Sequence, residues 1–276
     1  MIPELFRIPL FGFTSLPVYT FGFFMLCCFL GALKLLEKIF RELNIDLKLA
    51  ENMVTGGALG GILGARVLSV LSYPEALLRD PIGTIFSGAG FVYYGGFIGG
   101  VLAVWWVISR RGYAFMQMSD LVAAPLAFGY AIGRVGCQLS GDGDYGIPTS
   151  LPWGMNYAYG VIPTMEVVHP TPVYETAGAL LLTAFLISTF ARSKLCYEGQ
   201  IFGVYLMLSA LFRFLVEFLR IEPLLISFLT QAQFFSIILF LTGLFFVFRP
   251  HILSTAESKK QSLFITQGNV NCKGVC

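Results

Sequence analysis

The sequence predicts an all-α, polytopic integral membrane protein of about seven transmembrane helices, and three observations predict it. Of the 276 residues, 56% are hydrophobic and only 12% charged, where a soluble globular domain carries roughly 25% charged residues. Seven apolar stretches reach the length of about 20 residues that a bilayer crossing needs. Lysine and arginine then alternate between poor and rich connections, as the positive-inside rule requires. A net charge of +2 with no basic stripe or aromatic-basic repeat gives no support for a nucleic-acid partner.

The stretches run roughly over 18–40, 52–73, 85–108, 119–139, 171–191, 200–220 and 228–248. Before the first, Glu4, Arg7 and Pro17 interrupt any short apolar region with a cleavage site, so the first run reads as an uncleaved span. Lys38, Arg41 and Lys48 follow the first span, Arg110 and Arg111 the third, Arg192 and Lys194 the fifth, and Arg249, Lys259, Lys260 and Lys273 the last. The alternate connections hold only Arg7, Arg79 and Arg220. This pattern places the N-terminus outside and the C-terminus in the cytoplasm, which needs an odd number of spans. Residues 1–250 thus form one transmembrane domain, and 251–276 a polar cytoplasmic tail. The connection 140–170 is external. Its Trp and Tyr residues suit the headgroup zone, so it reads as a small cap at the membrane surface.

Glycines 56, 57, 60, 61 and 64 recur at spacings of three to four, as do 95, 96, 99 and 100. Small residues at this spacing let helix backbones approach closely in lipid, and they also leave room for a lipid tail. Cys27 and Cys28 read as small packing residues, and Cys272 and Cys276 as part of the tail. None of the six cysteines has zinc-type spacing.

Ionisable residues at membrane depth are the candidates for function. Arg66, Arg134 and Arg213 each fall in the outer part of an outward-running span, roughly 8–12 Å from its end at 1.5 Å per residue. Tyr94 reaches a similar depth, roughly 12–15 Å, on an inward-running span. Guanidinium groups match phosphate oxygens and stay charged, so an anionic phospholipid in the outer leaflet is the ligand this pattern suits. Glu217, four residues after Arg213, either neutralises it structurally or shapes the site. Arg220 reads as a side chain snorkelling to the headgroups. In GRVGCQLSGDGDYG the glycines permit a tight exit from the helix, and the two aspartates are too few oxygen ligands for a metal. Pro170 and Pro172 suit a helix start, with His169 beside them an interfacial residue or a catalyst. Nothing in the sequence asks for a cofactor.

These residues resemble the prolipoprotein diacylglyceryl transferase family over most of 15–222. The resemblance rests on GARVLSVLSYPEALLRDPI, on Gly133-Arg134-x-Gly136 followed by Ser140-Gly141-Asp142, and on HPTPVYETAG and FRFLVEFLR. It implies a multi-pass enzyme of the bacterial cytoplasmic membrane. Its reaction would move the diacylglyceryl group of phosphatidylglycerol to the lipobox cysteine thiol in the signal peptide of a prolipoprotein. A thioether forms and glycerol phosphate leaves. By that resemblance Arg134 and Arg213 hold the lipid phosphate and stabilise the leaving group, while Arg66, Asp142, Glu217, Gly95 and Gly96 shape the substrate site. The chain departs from the family pattern at several positions. Tyr94 stands where the family has histidine, Cys137 where the signature has asparagine, Asp142 where it has glutamate, and Phe21 and Ser209 where it has tyrosines. Histidine accepts a proton near neutrality, with an ordinary pKa of about 6.5 against about 10 for tyrosine. Tyr94 therefore needs cationic neighbours to serve as base, and His169 is the other candidate for the acceptor proton. The alternatives are a transferase with another acceptor and a lipid-binding protein on the same scaffold.

Overall fold

The structure is a computed structural model that describes residues 1–10, 14–72, 75, 80, 92–188, 198–226 and 228–248. The tail 251–276, Cys196 and the charges Arg79, Arg192, Lys194 and Arg249 lie outside the described residues. The chain is mostly helical. Helices α1 (Thr20–Glu42), α2 (Leu47–Ser72), α3 (Tyr93–Arg110), α4 (Phe115–Ser140), α5 (Thr171–Ile187), α6 (Gln200–Glu217) and α7 (Gln231–Phe248) stand where the seven apolar stretches were read. Four of them, α2, α4, α6 and α7, are long and apolar enough to cross a membrane, and α5 is a shorter apolar helix of 17 residues. The all-α expectation misses two short antiparallel hairpins, β1 (Glu4–Leu10) with β2 (Thr14–Tyr19) and β3 (Leu224–Ile226) with β4 (Leu229–Thr230). Apolar residues in segments this short carry no period that separates strand from helix.

The chain forms two compact units, Leu36–Met118 and Met1–Leu35 with Ser119–Cys276. In the first, α2 and α3 run antiparallel along their glycines. A Cβ on Gly60 would lie 2.6 Å from the Gly99 carbonyl oxygen, and one on Gly64 would collide with the Gly95 carbonyl. The glycine rows are thus a helix-to-helix seam, the packing role their spacing suggested. Asp46 caps α2 by accepting from the Lys48 amide at 3.0 Å.

In the second unit, glycines again set the approach of helices. Gly129 of α4 faces the Cys28 sulfur of α1, Gly178 of α5 faces the Phe212 ring of α6, and Gly203 of α6 meets Gly243 of α7. Cys28 is therefore a packing residue. The start of α5 follows its prolines, with Pro170 at the N-cap and Pro172 in the first turn. α6 begins at Gly199, which sits at φ +88°. Its first turn is capped by a carboxylate from another helix: Asp120 of α4 accepts from the amides of Gly199 at 2.7 Å and Phe202 at 2.8 Å. α7 carries a capping box, in which the Gln233 amide donates to Thr230 Oγ1 at 3.2 Å and the Thr230 amide to Gln233 Oε1 at 3.1 Å.

The connection 141–170 is ordered by its own contacts. Gly141 and Gly143, at φ +62° and +96°, turn the chain out of α4. Single bridges tie Gly146 to Arg220, and Pro148 and Met155 to Val168. The aromatics divide between two roles. Tyr159 is exposed and Trp153 largely so, but Tyr157 is buried, stacked on Tyr145 and donating to Gln138 Oε1 at 2.8 Å. Burial pushes the Tyr157 phenol up to about 12, so it remains a donor at any working pH.

Candidate active site

Glu175, on the second turn of α5, is only 1% exposed and is surrounded by donors. Its Oε1 accepts from Arg213 Nη1 at 2.6 Å and from the Tyr130 hydroxyl at 2.9 Å. Its Oε2 lies 3.0 Å from Arg134 Nε. One carboxylate therefore spans the two arginines from α4 and α6 that the sequence singled out. The Arg134 guanidinium also lies 5.0 Å from the centre of the Tyr130 ring.

The cluster continues outward along α6. Glu217 Oε2 lies 3.0 Å from Arg213 Nη2 and 3.5 Å from Arg220 Nε, while its Oε1 accepts from the Thr230 hydroxyl at 2.8 Å. The i, i+4 pairing of Arg213 with Glu217 is thus formed, and the same carboxylate reaches a second arginine. Arg220 does not snorkel. Its side chain is 5% exposed and points inward to Asp144, with Nη2 to Oδ1 at 2.6 Å, and to Glu222 at 2.7 Å. Partners across the chain, and not the headgroups, hold it. Asp144 takes Arg134 on its other oxygen, Oδ2. Burial opposes ionisation of Asp144, but the flanking Arg134 and Arg220 outweigh it and hold the carboxyl below its ordinary value.

Of the residues predicted for the site, Arg134, Arg213 and Glu217 come together here. Asp142 lies on the same turn but makes no ion pair among the described residues. It accepts from the Asp144 amide at 3.4 Å, and burial raises its carboxyl above the ordinary value. Asp142, Asp144 and Cys137 approach one another closely, but the arginines already take both Asp144 oxygens. His169 lies on the approach to α5, where its Nδ1 is 3.2 Å from the Tyr174 hydroxyl, which itself accepts from the Trp153 indole at 2.8 Å. Arg66, Tyr94, Gly95 and Gly96 belong to the other unit. There Gly95 and Gly96 face Gly64 and Gly61 of α2. The Val92 amide lies 3.4 Å from the Ala65 carbonyl, so Arg66 and Tyr94 flank one level of that seam.

Sequence reasoning missed Glu175, Tyr130, Asp144 and the inward Arg220. A signal for Glu175 was present: it is an ionisable residue within the apolar stretch 171–191, the same criterion that identified the arginines. Asp144 carried a weaker signal, since it lies ten residues after Arg134 in the same stretch, but its second partner, Arg220, is 76 residues away.

The sequence model of the family described as prolipoprotein diacylglyceryl transferase matches residues 9–249. A phosphatidylglycerol–prolipoprotein diacylglyceryl transferase of Clostridium tetani is 32% identical over 247 residues, which cover 89% of this chain and 96% of the relative. One from Nitratidesulfovibrio vulgaris is 34% identical over 74% of this chain and 78% of its own length. Another, from Polynucleobacter necessarius, is 32% identical over 76% and 80%. The match spans the whole arginine–carboxylate cluster from Tyr130 to Thr230, and the chain belongs to the prolipoprotein diacylglyceryl transferase family.

Proposed function

We infer that the protein transfers the diacylglyceryl group of phosphatidylglycerol to the thiol of a prolipoprotein, the activity for which its relatives are named. The observation that carries the reading is the half-buried set of Arg134, Arg213 and Arg220, braced by Glu175, Glu217 and Asp144. Guanidinium forks match the oxygens of a phosphate as they match those of a carboxylate.

In this reading Arg134 and Arg213 bind the lipid phosphate and stabilise the charge on departing glycerol phosphate. The carboxylates hold those side chains rigid and in place before substrate arrives, which preorganises the field where charge develops. By the family resemblance Arg66 supports the anion, and Asp142, Glu217, Gly95 and Gly96 shape the substrate site. The acceptor is the lipobox cysteine of a signal peptide. Its thiol, with an ordinary pKa of about 8.5, is already a fair nucleophile once its proton is taken. Tyr94 takes that proton, or His169 in its place. The thiolate carbon–sulfur bond forms as the glycerol carbon–oxygen bond to phosphate breaks, and the phosphate oxygen leaves with its electron pair. We further read all seven helices as spans of the bacterial cytoplasmic membrane, with the N-terminus and the 140–170 cap outside and the 251–276 tail inside.

Purified protein incubated with labelled phosphatidylglycerol and a lipobox peptide tests the reading. Label moves to the peptide with the unsubstituted protein, and Arg134→Ala lowers the rate on the order of 100-fold or more, the cost of one lost oxyanion donor. Tyr94→Phe abolishes transfer if tyrosine is the base, and leaves it if His169 is. Label that binds but never transfers would contradict the activity itself.

A further inference from the structure

Four carboxylates brace the three arginines, Glu222 reaching Arg220 alone, but they are not held alike. Glu175 and Glu217 stand on helices and are each 1% exposed. Asp144 is 28% exposed and sits on the turn between Gly143 and Gly146. It gives one oxygen to Arg134 and the other to Arg220, so a single anionic group bridges two guanidinium groups. A phosphate uses two of its oxygens in the same way.

The backbone at Asp144 is tied separately. Its carbonyl accepts from Arg220 Nη1 at 3.0 Å and from the Thr171 hydroxyl. The neighbouring Gly146 amide donates to the His169 carbonyl at 2.8 Å. The side chain can therefore leave its two arginines by rotating about its own bonds, with the turn left in place. Glu175 and Glu217 have no such freedom. Glu175 also accepts from Tyr130, Glu217 also accepts from Thr230, and neither has water to turn toward.

We propose that Asp144 is an exchangeable stand-in for the substrate anion: its carboxylate occupies Arg134 and Arg220 in the resting protein, and the lipid phosphate displaces it. The proposal rests on the phosphate-binding reading above and adds Arg220 to Arg134 and Arg213 as a donor to the phosphate. When Asp144 leaves, Arg134 keeps Glu175 and Arg220 keeps Glu217 and Glu222, so the exchange strands neither guanidinium without an anion. It also makes Asp144 a determinant of specificity. Only a ligand that offers anionic oxygens to both guanidinium groups compensates them for the lost carboxylate, so a neutral diacylglycerol gains nothing from the exchange.

The test is binding of phosphatidylglycerol to the full chain in detergent micelles, by calorimetry, for the unsubstituted protein, Asp144→Asn and Asp144→Glu. A competitor that occupies the site most of the time lowers apparent affinity by the fraction of time it is absent, so Asp144→Asn is expected to bind roughly fivefold or more tightly. Asp144→Glu retains the competing charge and should stay near the unsubstituted value. Unchanged or weaker binding by a folded Asp144→Asn protein would overturn the proposal and make Asp144 a fixed strut. Should that variant fail to fold, carboxyl-labelled aspartate in the unsubstituted protein gives a second reading by nuclear magnetic resonance. The Asp144 signal should move toward that of a solvated carboxylate when phosphatidylglycerol is added, and an unmoved signal overturns the exchange. Absence of phosphatidylglycerol binding by every variant would instead overturn the phosphate-site reading and the proposal with it.

Discussion

Glu175 holds Arg134 and Arg213 at once, so its loss should act on stability and on transfer alike. Replacing it with glutamine keeps the shape but leaves two buried guanidinium groups without their shared anion. Breaking a buried ion pair from one side costs roughly 3 kcal/mol or more, so Glu175→Gln should lower the unfolding midpoint in detergent and abolish transfer together. Asp144 makes the opposite kind of prediction. Its carboxyl is held below the ordinary value by Arg134 and Arg220, so its contribution to stability is present above the unfolded pKa and fades as the carboxyl protonates. The midpoint should therefore fall as pH drops below about 4, and Asp144→Asn should remove part of that fall. The arginines of this cluster were legible in the sequence because a basic residue inside an apolar stretch stands out. Of the carboxylates, Glu217 was legible from its i, i+4 spacing to Arg213, but Glu175 and Asp144 were missed, although Glu175 meets the same criterion. Arg220 was misread because its position at a helix end suits snorkelling equally well, and its long-range partner Asp144 holds it inward together with Glu217 and Glu222.

The helices were legible as elements because bilayer-length apolar runs leave few alternatives. The hairpins were not, since β1 and β2 hold too few residues to declare a period. The glycine seam between α2 and α3 allows a graded test of the packing account. A Cβ on Gly64 would collide with the Gly95 carbonyl, whereas one on Gly61 would rest 3.5 Å from the Gly96 carbonyl, an ordinary contact. Gly64→Ala should therefore force the helices apart and cost on the order of 1–3 kcal/mol, as overpacking does. Gly61→Ala should leave thermal stability in detergent nearly unchanged. Equal effects at the two positions would mean that the seam is looser than its geometry.

At the scale of the whole molecule, the proposed orientation follows from loop charge alone, and it yields a labelling experiment. Tyr159 in the 140–170 connection is 81% exposed, and Lys48 at the start of α2 is also exposed. In intact cells a membrane-impermeant thiol reagent should modify Tyr159→Cys, and it should reach Lys48→Cys only after the membrane is opened. The reverse pattern would invert the topology and move the arginine cluster to the cytoplasmic side. The Asp120 cap has a further consequence, for synthesis. The acid on α4 is made 79 residues before the Gly199 amide that it receives. At ordinary translation rates of about 5–20 residues per second, that gap lasts roughly 4–16 s. In the proposed orientation Asp120 stands near the cytoplasmic end of α4, where water can hold its carboxyl until the first turn of α6 arrives. The cap is thus made only when α6 docks on α4, and Asp120→Leu should lower thermal stability in detergent by the cost of a lost helix cap, about 1 kcal/mol.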